Sequence, residues 1–145
     1  MLIKKPRTIK NMLRFNGFLV ERVEIESVDS LIPLLGDKLQ ATSEECFREV
    51  VFAALLSLRS FSRGTNRAKS LGGEFILRIA GSKQISESIK KKGLKVGFNY
   101  LVFFGDKKEF MNILQKADLK TVELKKCKDA EIKKKFEKSA ILEAF

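Results

Sequence analysis

Asn99-Tyr100-Leu101-Val102-Phe103-Phe104 carries apolar side chains at odd and even positions alike. Successive side chains of an extended chain point to opposite faces, so such a run is stable only where both faces are covered. It predicts a central strand, with other strands beside it and helices packed over the sheet. The remaining sequence supplies both. Residues 13–25 read as extended, with Phe15, Phe18, Val20, Val23 and Ile25 interrupted by Asn16-Gly17, a hairpin or bulge signal. The segment 30–36 fits a brief helix opened by Pro33, and residues 38–41 fit a short strand.

Helical periodicity dominates the middle of the chain. Thr42-Ser43-Glu44-Glu45 offers a cap and first-turn acids, and Phe47, Val50, Val51, Ala54, Leu55, Leu58 and Phe61 then recur at three- and four-residue steps as far as Gly64. A second helix follows Gly64-Thr65-Asn66, carrying Ala68, Leu71, Phe75, Ile76, Ile79 and Ala80 before Gly81 stops it. Gly72-Gly73 inside it costs about 1 kcal/mol per glycine relative to alanine, which predicts another element packed closely there. A short helix from Gln84 ends at Gly93, Asp106 caps a helix to about Lys116, and residues 121–124 alternate as a strand. Asp129 caps a last helix to Phe145. The expected architecture is α+β: one domain over residues 1–145, a small mixed sheet, a cluster of central helices and a C-terminal helix.

The chain contains no histidine. Its absence removes Ser-His and Cys-His nucleophiles, the imidazole general base and nearly all zinc sites. No Walker A loop, GxGxxG or HExxH occurs, and no paired carboxylates have metal-ligand spacing. Carboxylate or lysine chemistry stays open, but no catalytic residue, metal or cofactor is expected, and binding is the natural reading. Cys46 and Cys127 are far apart, with no CxxC spacing and little to suggest a disulfide. Cys46 reads as a small core residue, and Cys127 sits between two lysines. The longest apolar run, residues 50–56, is far too short to span a membrane, and residues 1–7 lack a signal peptide's apolar region. A cytoplasmic location is expected.

The net charge of +11 is unevenly distributed. Residues 59–95 hold ten basic side chains (Arg59, Arg63, Arg67, Lys69, Arg78, Lys83, Lys90, Lys91, Lys92 and Lys95) against Glu74 and Glu87, whereas residues 21–58 are net acidic. The basic segment is a candidate footprint for a polyanion, and nucleic acid is the first choice. Arg59 and Arg63, four apart, share one helix face. At the other end, Ile132, Phe136 and Ala140 form an i, i+4 stripe, while Ile141, Leu142 and Phe145 point elsewhere. Apolar nearly all round, these last turns need a second surface, either this domain's own core or a partner.

Two linked blocks resemble a known family. They are Ser60-Phe61-Ser62-Arg63-Gly64-Thr65-Asn66-Arg67-Ala68-Lys69-Ser70-Leu71 and, from Glu74 onward, Phe75-Ile76-Leu77-Arg78-Ile79-Ala80-Gly81-Ser82-Lys83-Gln84-Ile85. The runs Phe-x-x-Gly-x-Asn-x-Ala-basic-x-Leu and Ala-Gly-x-basic-Gln-Ile, in that order, are similar to the small kinase-binding accessory subunit of the KEOPS complex in its archaeal form. That resemblance implies a non-catalytic role in making threonylcarbamoyladenosine beside the tRNA anticodon. It implies docking on the kinase-like ATPase subunit, partly through the C-terminal helix, and through it association with the transferase subunit. It further implies holding of the tRNA 3′ CCA end.

A single-stranded tail is held by cations along its phosphates with polar or stacking contacts to its bases. Arg59, Arg63, Arg67 and Lys69 around Gly64, with Lys83 and Gln84 at the next helix start, are the candidate RNA-binding residues. Gln84 fits a base reader or a helix cap equally, and Asn66 fits a turn. Backbone N–H groups after Gly81 are a candidate phosphate site. Ile132, Phe136, Ile141, Leu142 and Phe145 are the candidate partner face. The alternative is a purely protein-binding regulator of the kinase-like subunit, its basic surface answering an acidic partner.

Overall fold

The computed structural model describes residues 12–124. Strands β1 (Leu13–Phe15) and β2 (Phe18–Ile25) form the hairpin expected at Asn16-Gly17. Two 3₁₀ turns, Val28–Ser30 and Ile32–Leu34, replace the single brief helix, and β3 (Leu39–Thr42) follows. Helices α1 (Phe47–Arg63), α2 (Leu71–Ala80) and α3 (Ile85–Lys92) then precede β4 (Gly97–Phe103), α4 (Lys107–Lys116) and β5 (Lys120–Thr121). The fold is α+β, as expected.

The sheet runs β1-β2-β4-β3, with β5 also on β2, and β4 occupies the central place its sequence demanded. A mixed sheet was expected, but every pairing among the described residues is antiparallel. The three central helices return the chain so that β4 runs against both β2 and β3.

Strand alternation divides the core between the two faces. Phe18 and Val20 of β2 and Tyr100 and Val102 of β4 meet Val50, Ala53 and Ala54 of α1 and Phe75, Ile76 and Ile79 of α2. Leu19, Val23, Ile25, Leu39, Ala41, Leu101 and Phe103 point the other way, against Phe110 and Leu114 of α4. Phe103 and Phe110 stack there with centroids 5.3 Å apart.

The start of α1 differs from the sequence reading. Thr42 remains in β3, paired with Tyr100, and its hydroxyl donates to the Lys92 carbonyl at 2.6 Å. The helix therefore begins later, at Phe47, with Cys46 in the cap position. Cys46 is buried and joined in a disulfide, which nothing in its spacing had signalled. At the far end, Gly64 adopts φ 72°, a left-handed cap that glycine takes without steric cost. The last strand, expected over four residues, is two long.

The pair Gly72-Gly73 behaves as expected of a close approach. A Cβ at Gly72 would run into the Gly36 carbonyl oxygen, and the Gly72 N–H donates to the Asp37 carbonyl at 2.9 Å. This contact locks the first turn of α2 to the loop before β3 and fixes the position of the segment joining α1 to α2.

Candidate nucleic-acid interface

The segment 64–70 leaves α1 at its glycine cap and enters α2 through Ser70, whose Oγ accepts the Gly73 N–H at 3.1 Å. Its shape is set from beneath by one carboxylate. Glu74, fully buried in the first turn of α2, takes the N–H groups of Arg67 at 2.7 Å and Ala68 at 2.9 Å on Oε1. Its Oε2 accepts from Arg78 Nε at 2.8 Å, one helical turn on. Asn66 completes the turn by donating to the Ala68 carbonyl at 2.9 Å, the role expected of it. With these backbone atoms held, the side chains of Arg67 and Lys69 extend into solvent.

Arg59, Arg63, Arg67, Lys69, Lys83 and Gln84 are all exposed. Arg59 and Arg63 lie on the last turns of α1, whereas Lys83 and Gln84 precede α3. Gly73 brings the second group towards the first. Positions where its Cβ would stand lie 3.2 Å from the Ala68 methyl and 3.5 Å from the Ile85 Cδ1. Ala68 and Ile85, the sequence neighbours of Arg67, Lys69 and Gln84, thus both pack against Gly73.

Three members of the basic segment do not contribute free charge to that surface. Arg78 is 1% exposed and paired with Glu74, so it serves the scaffold and not the surface. Lys91 pairs with Glu87 at 3.2 Å, and Lys92 with buried Glu44 at 2.7 Å.

Part of the backbone phosphate site expected after Gly81 is engaged within the chain. The Ser82 N–H is committed to the Leu77 carbonyl, and the Gln84 N–H to Ser82 Oγ at 3.2 Å. Glu87 adds a carboxylate to the first turn, with Oε2 3.4 Å from Ser82 Oγ. Two of the donors after Gly81 are thus engaged within the chain. Gln84 holds the cap position of α3 without a side-chain capping bond, and it is exposed.

Sequence reasoning missed Glu74 as the organiser of this surface. The available signal was its i, i+4 spacing to Arg78 on a helix face otherwise filled by Phe75, Ile76 and Ile79. Among the described residues no group of three or more His, Cys, Asp or Glu side chains is arranged to hold a metal ion, and no helix is long and apolar enough to cross a membrane. The partner-face residues Ile132, Phe136, Ile141, Leu142 and Phe145, like Cys127, lie outside the described residues.

No protein-family model matches the chain. Against curated proteins, it is 35% identical to the KEOPS complex subunit Cgi121 of Pyrococcus abyssi, over 99% of its own length and 86% of that protein's. This agreement extends through both blocks that carry the resemblance and through the elements on either side of them, and the chain belongs to the family of KEOPS complex subunit Cgi121.

Proposed function

We propose that this KEOPS subunit serves tRNA modification without chemistry of its own. It holds the 3′ CCA end of tRNA on the patch around segment 64–70 and docks on the kinase-like ATPase subunit, which links it to the transferase. The observation that carries the RNA reading is the buried Glu74–Arg78 pair beneath Arg67 and Ala68. Holding the loop from below with backbone bonds leaves the exposed cations ready for an anion, so less ordering is required on binding. Arg59, Arg63, Arg67, Lys69 and Lys83 supply charge along phosphates, and Gln84 supplies an amide for a base edge. Ile132, Phe136, Ile141, Leu142 and Phe145 form the partner face.

The test is a gel-shift titration of the isolated protein with one tRNA, intact and with its 3′ CCA removed. Trimming is expected to weaken binding markedly. The double variant Arg59→Glu, Lys83→Glu is expected to lose tRNA and keep the kinase-like subunit, and Leu142→Glu to do the reverse. Equal, steeply salt-sensitive binding of both tRNAs leaves only a generic basic surface. Absence of binding transfers the function to a protein-binding regulator of the kinase-like subunit.

A further inference from the structure

Helix α3 has cations at both ends, and only those at its start belong to the candidate tail site. Lys83 and Gln84 precede the helix, and Ile85 opens it against Gly73. Lys90, Lys91 and Lys92 fill its last turn. Lys95 joins them through its ammonium, which donates to the Lys91 carbonyl at 3.4 Å. These charges are not equivalent. Lys91 is balanced by Glu87 and Lys92 by Glu44. Lys90 and Lys95 are exposed and have no ion-pair partner among the described residues.

The backbone beneath this far cluster is pinned, as the loop over Glu74 is. The Lys92 carbonyl accepts the Thr42 hydroxyl at 2.6 Å and the Ser43 N–H at 2.9 Å, which ties the end of α3 to β3. Buried Asn99 of β4 takes the Lys95 N–H on Oδ1 at 3.1 Å and returns its amide to the Lys95 and Gly97 carbonyls. Two free cations therefore stand on fixed backbone, and little main-chain ordering is needed for them to meet an anion.

The spacing of the two ends sets what the far one meets. Helix α3 spans 8 residues, about 12 Å. Phosphates along one stacked strand advance about 3.4 Å each, so the nucleotides of CCA cover about 10 Å. A tail that starts at the near end and follows α3 is used up within the length of the helix. The next phosphates belong to the paired acceptor stem. Lysine suits them, as a point charge that binds a phosphate without reading a base.

We propose that Lys90 and Lys95 bind phosphates of the double-helical acceptor stem, so that α3 divides its RNA between a single-stranded end and a paired end. The proposal rests on the tRNA reading above and adds a duplex contact that holding the tail does not require.

The double variant Lys90→Gln, Lys95→Gln alters two exposed side chains and keeps the bonds of Thr42, Glu44 and Asn99, which go to Lys92 and to the Lys95 backbone. Its affinity is measured against salt by fluorescence anisotropy with two probes, intact tRNA and a short single-stranded RNA ending in CCA. With intact tRNA the slope of log K against log salt is expected to shallow by about 1.8, from two phosphates at about 0.9 each. With the single-stranded RNA neither slope nor affinity is expected to change. An unchanged slope with intact tRNA overturns the proposal. An equal change with both probes puts the tail itself on the far cluster and overturns the division of α3. Loss of the kinase-like subunit with tRNA binding kept makes the cluster a protein contact and overturns it as well. The tail reading fails separately: a parent protein that binds intact and CCA-trimmed tRNA equally counts against it. A slope change of about 1.8 with both of those tRNAs then leaves the stem contact standing.

Discussion

Two carboxylates are fully buried in different parts of this molecule, and they are treated in opposite ways. At the helical corner, Glu74 has both oxygens engaged, one by the Arg67 and Ala68 N–H groups and the other by Arg78. In the sheet, Glu21 of β2 stands opposite Leu101, on the face shared with Leu19 and Val23. Its Oε1 accepts only the neighbouring Arg22 N–H at 3.2 Å, and Oε2 has no hydrogen-bond partner among the described residues. Burial in apolar surroundings raises the Glu21 pKa from 4.5 to about 7, despite the Arg22 bond pulling it down. Depth alone therefore does not define a buried acid's role. The partners do: Glu74 fixes the loop that displays the basic patch, while Glu21 is a standing cost to the sheet.

The most severe test removes the supported acid. Glu74→Ala removes the carboxylate that Arg78 Nε donates to and releases two loop N–H groups, so a loss of about 3–5 kcal/mol in unfolding free energy is expected by urea denaturation. The double variant Glu74→Gln, Arg78→Met should recover a substantial part, because both members of this ion pair are then neutral. A loss below about 1 kcal/mol for Glu74→Ala would break the contrast with Glu21.

The unsupported acid should respond with the opposite sign. Because its folded pKa lies above the unfolded value, the native state retains a proton between pH 4.5 and 7 that the unfolded state has released. This group's effect is that stability falls as pH rises through that window and is lowest above it. Glu21→Gln is accordingly expected to stabilise the protein by about 2–3 kcal/mol at pH 8, with little gain at pH 4. Paired urea titrations at the two pH values read the difference directly. An equal gain at both would mean that packing, not charge, separates the variants.

Gly72→Ala sharpens the comparison from the packing side. Its added methyl meets the Gly36 carbonyl, which is backbone and cannot swing away, so about 1–3 kcal/mol should be lost with Glu74 intact. Thermal unfolding measures this. If tRNA affinity at a temperature where the variant is folded falls as well, the seating of α2 also positions the patch.

These residues show which parts of the molecule were legible in advance. The two-sided run in β4 dictated a central strand, and Gly72-Gly73 announced a close neighbour, because both are local patterns with one physical solution. Asp106 capped α4 as read, its carboxylate accepting the Glu109 N–H at 2.8 Å. What escaped depended on the third dimension. Arg78 counted as surface charge until its partner lay one turn below it in the core. Thr42 looked like a cap until pairing with Tyr100 held it in a strand. Two of the donors after Gly81, the Ser82 and Gln84 N–H groups, are taken by Leu77 and Ser82. Glu21 sits beside polar Arg22, but its parity with Leu19, Val23 and Ile25 places it on the apolar face that Phe110 and Leu114 of α4 also join.

The smallest expected change in stability belongs to Arg67→Ala, and it separates scaffold from surface within the helical corner. The bond to Glu74 comes from the Arg67 backbone N–H, so alanine preserves it while deleting the exposed guanidinium. Unfolding free energy should stay within about 0.5 kcal/mol of the parent protein, as at other exposed positions without a structural partner. If Arg67 meets a phosphate of the single-stranded tail, affinity for intact tRNA should fall, and the slope of log K against log salt should shallow by about 0.7. CCA-trimmed tRNA should show neither change. An unchanged salt slope with intact tRNA would place Arg67 off the RNA path and leave Glu74 holding a loop whose cations serve another partner.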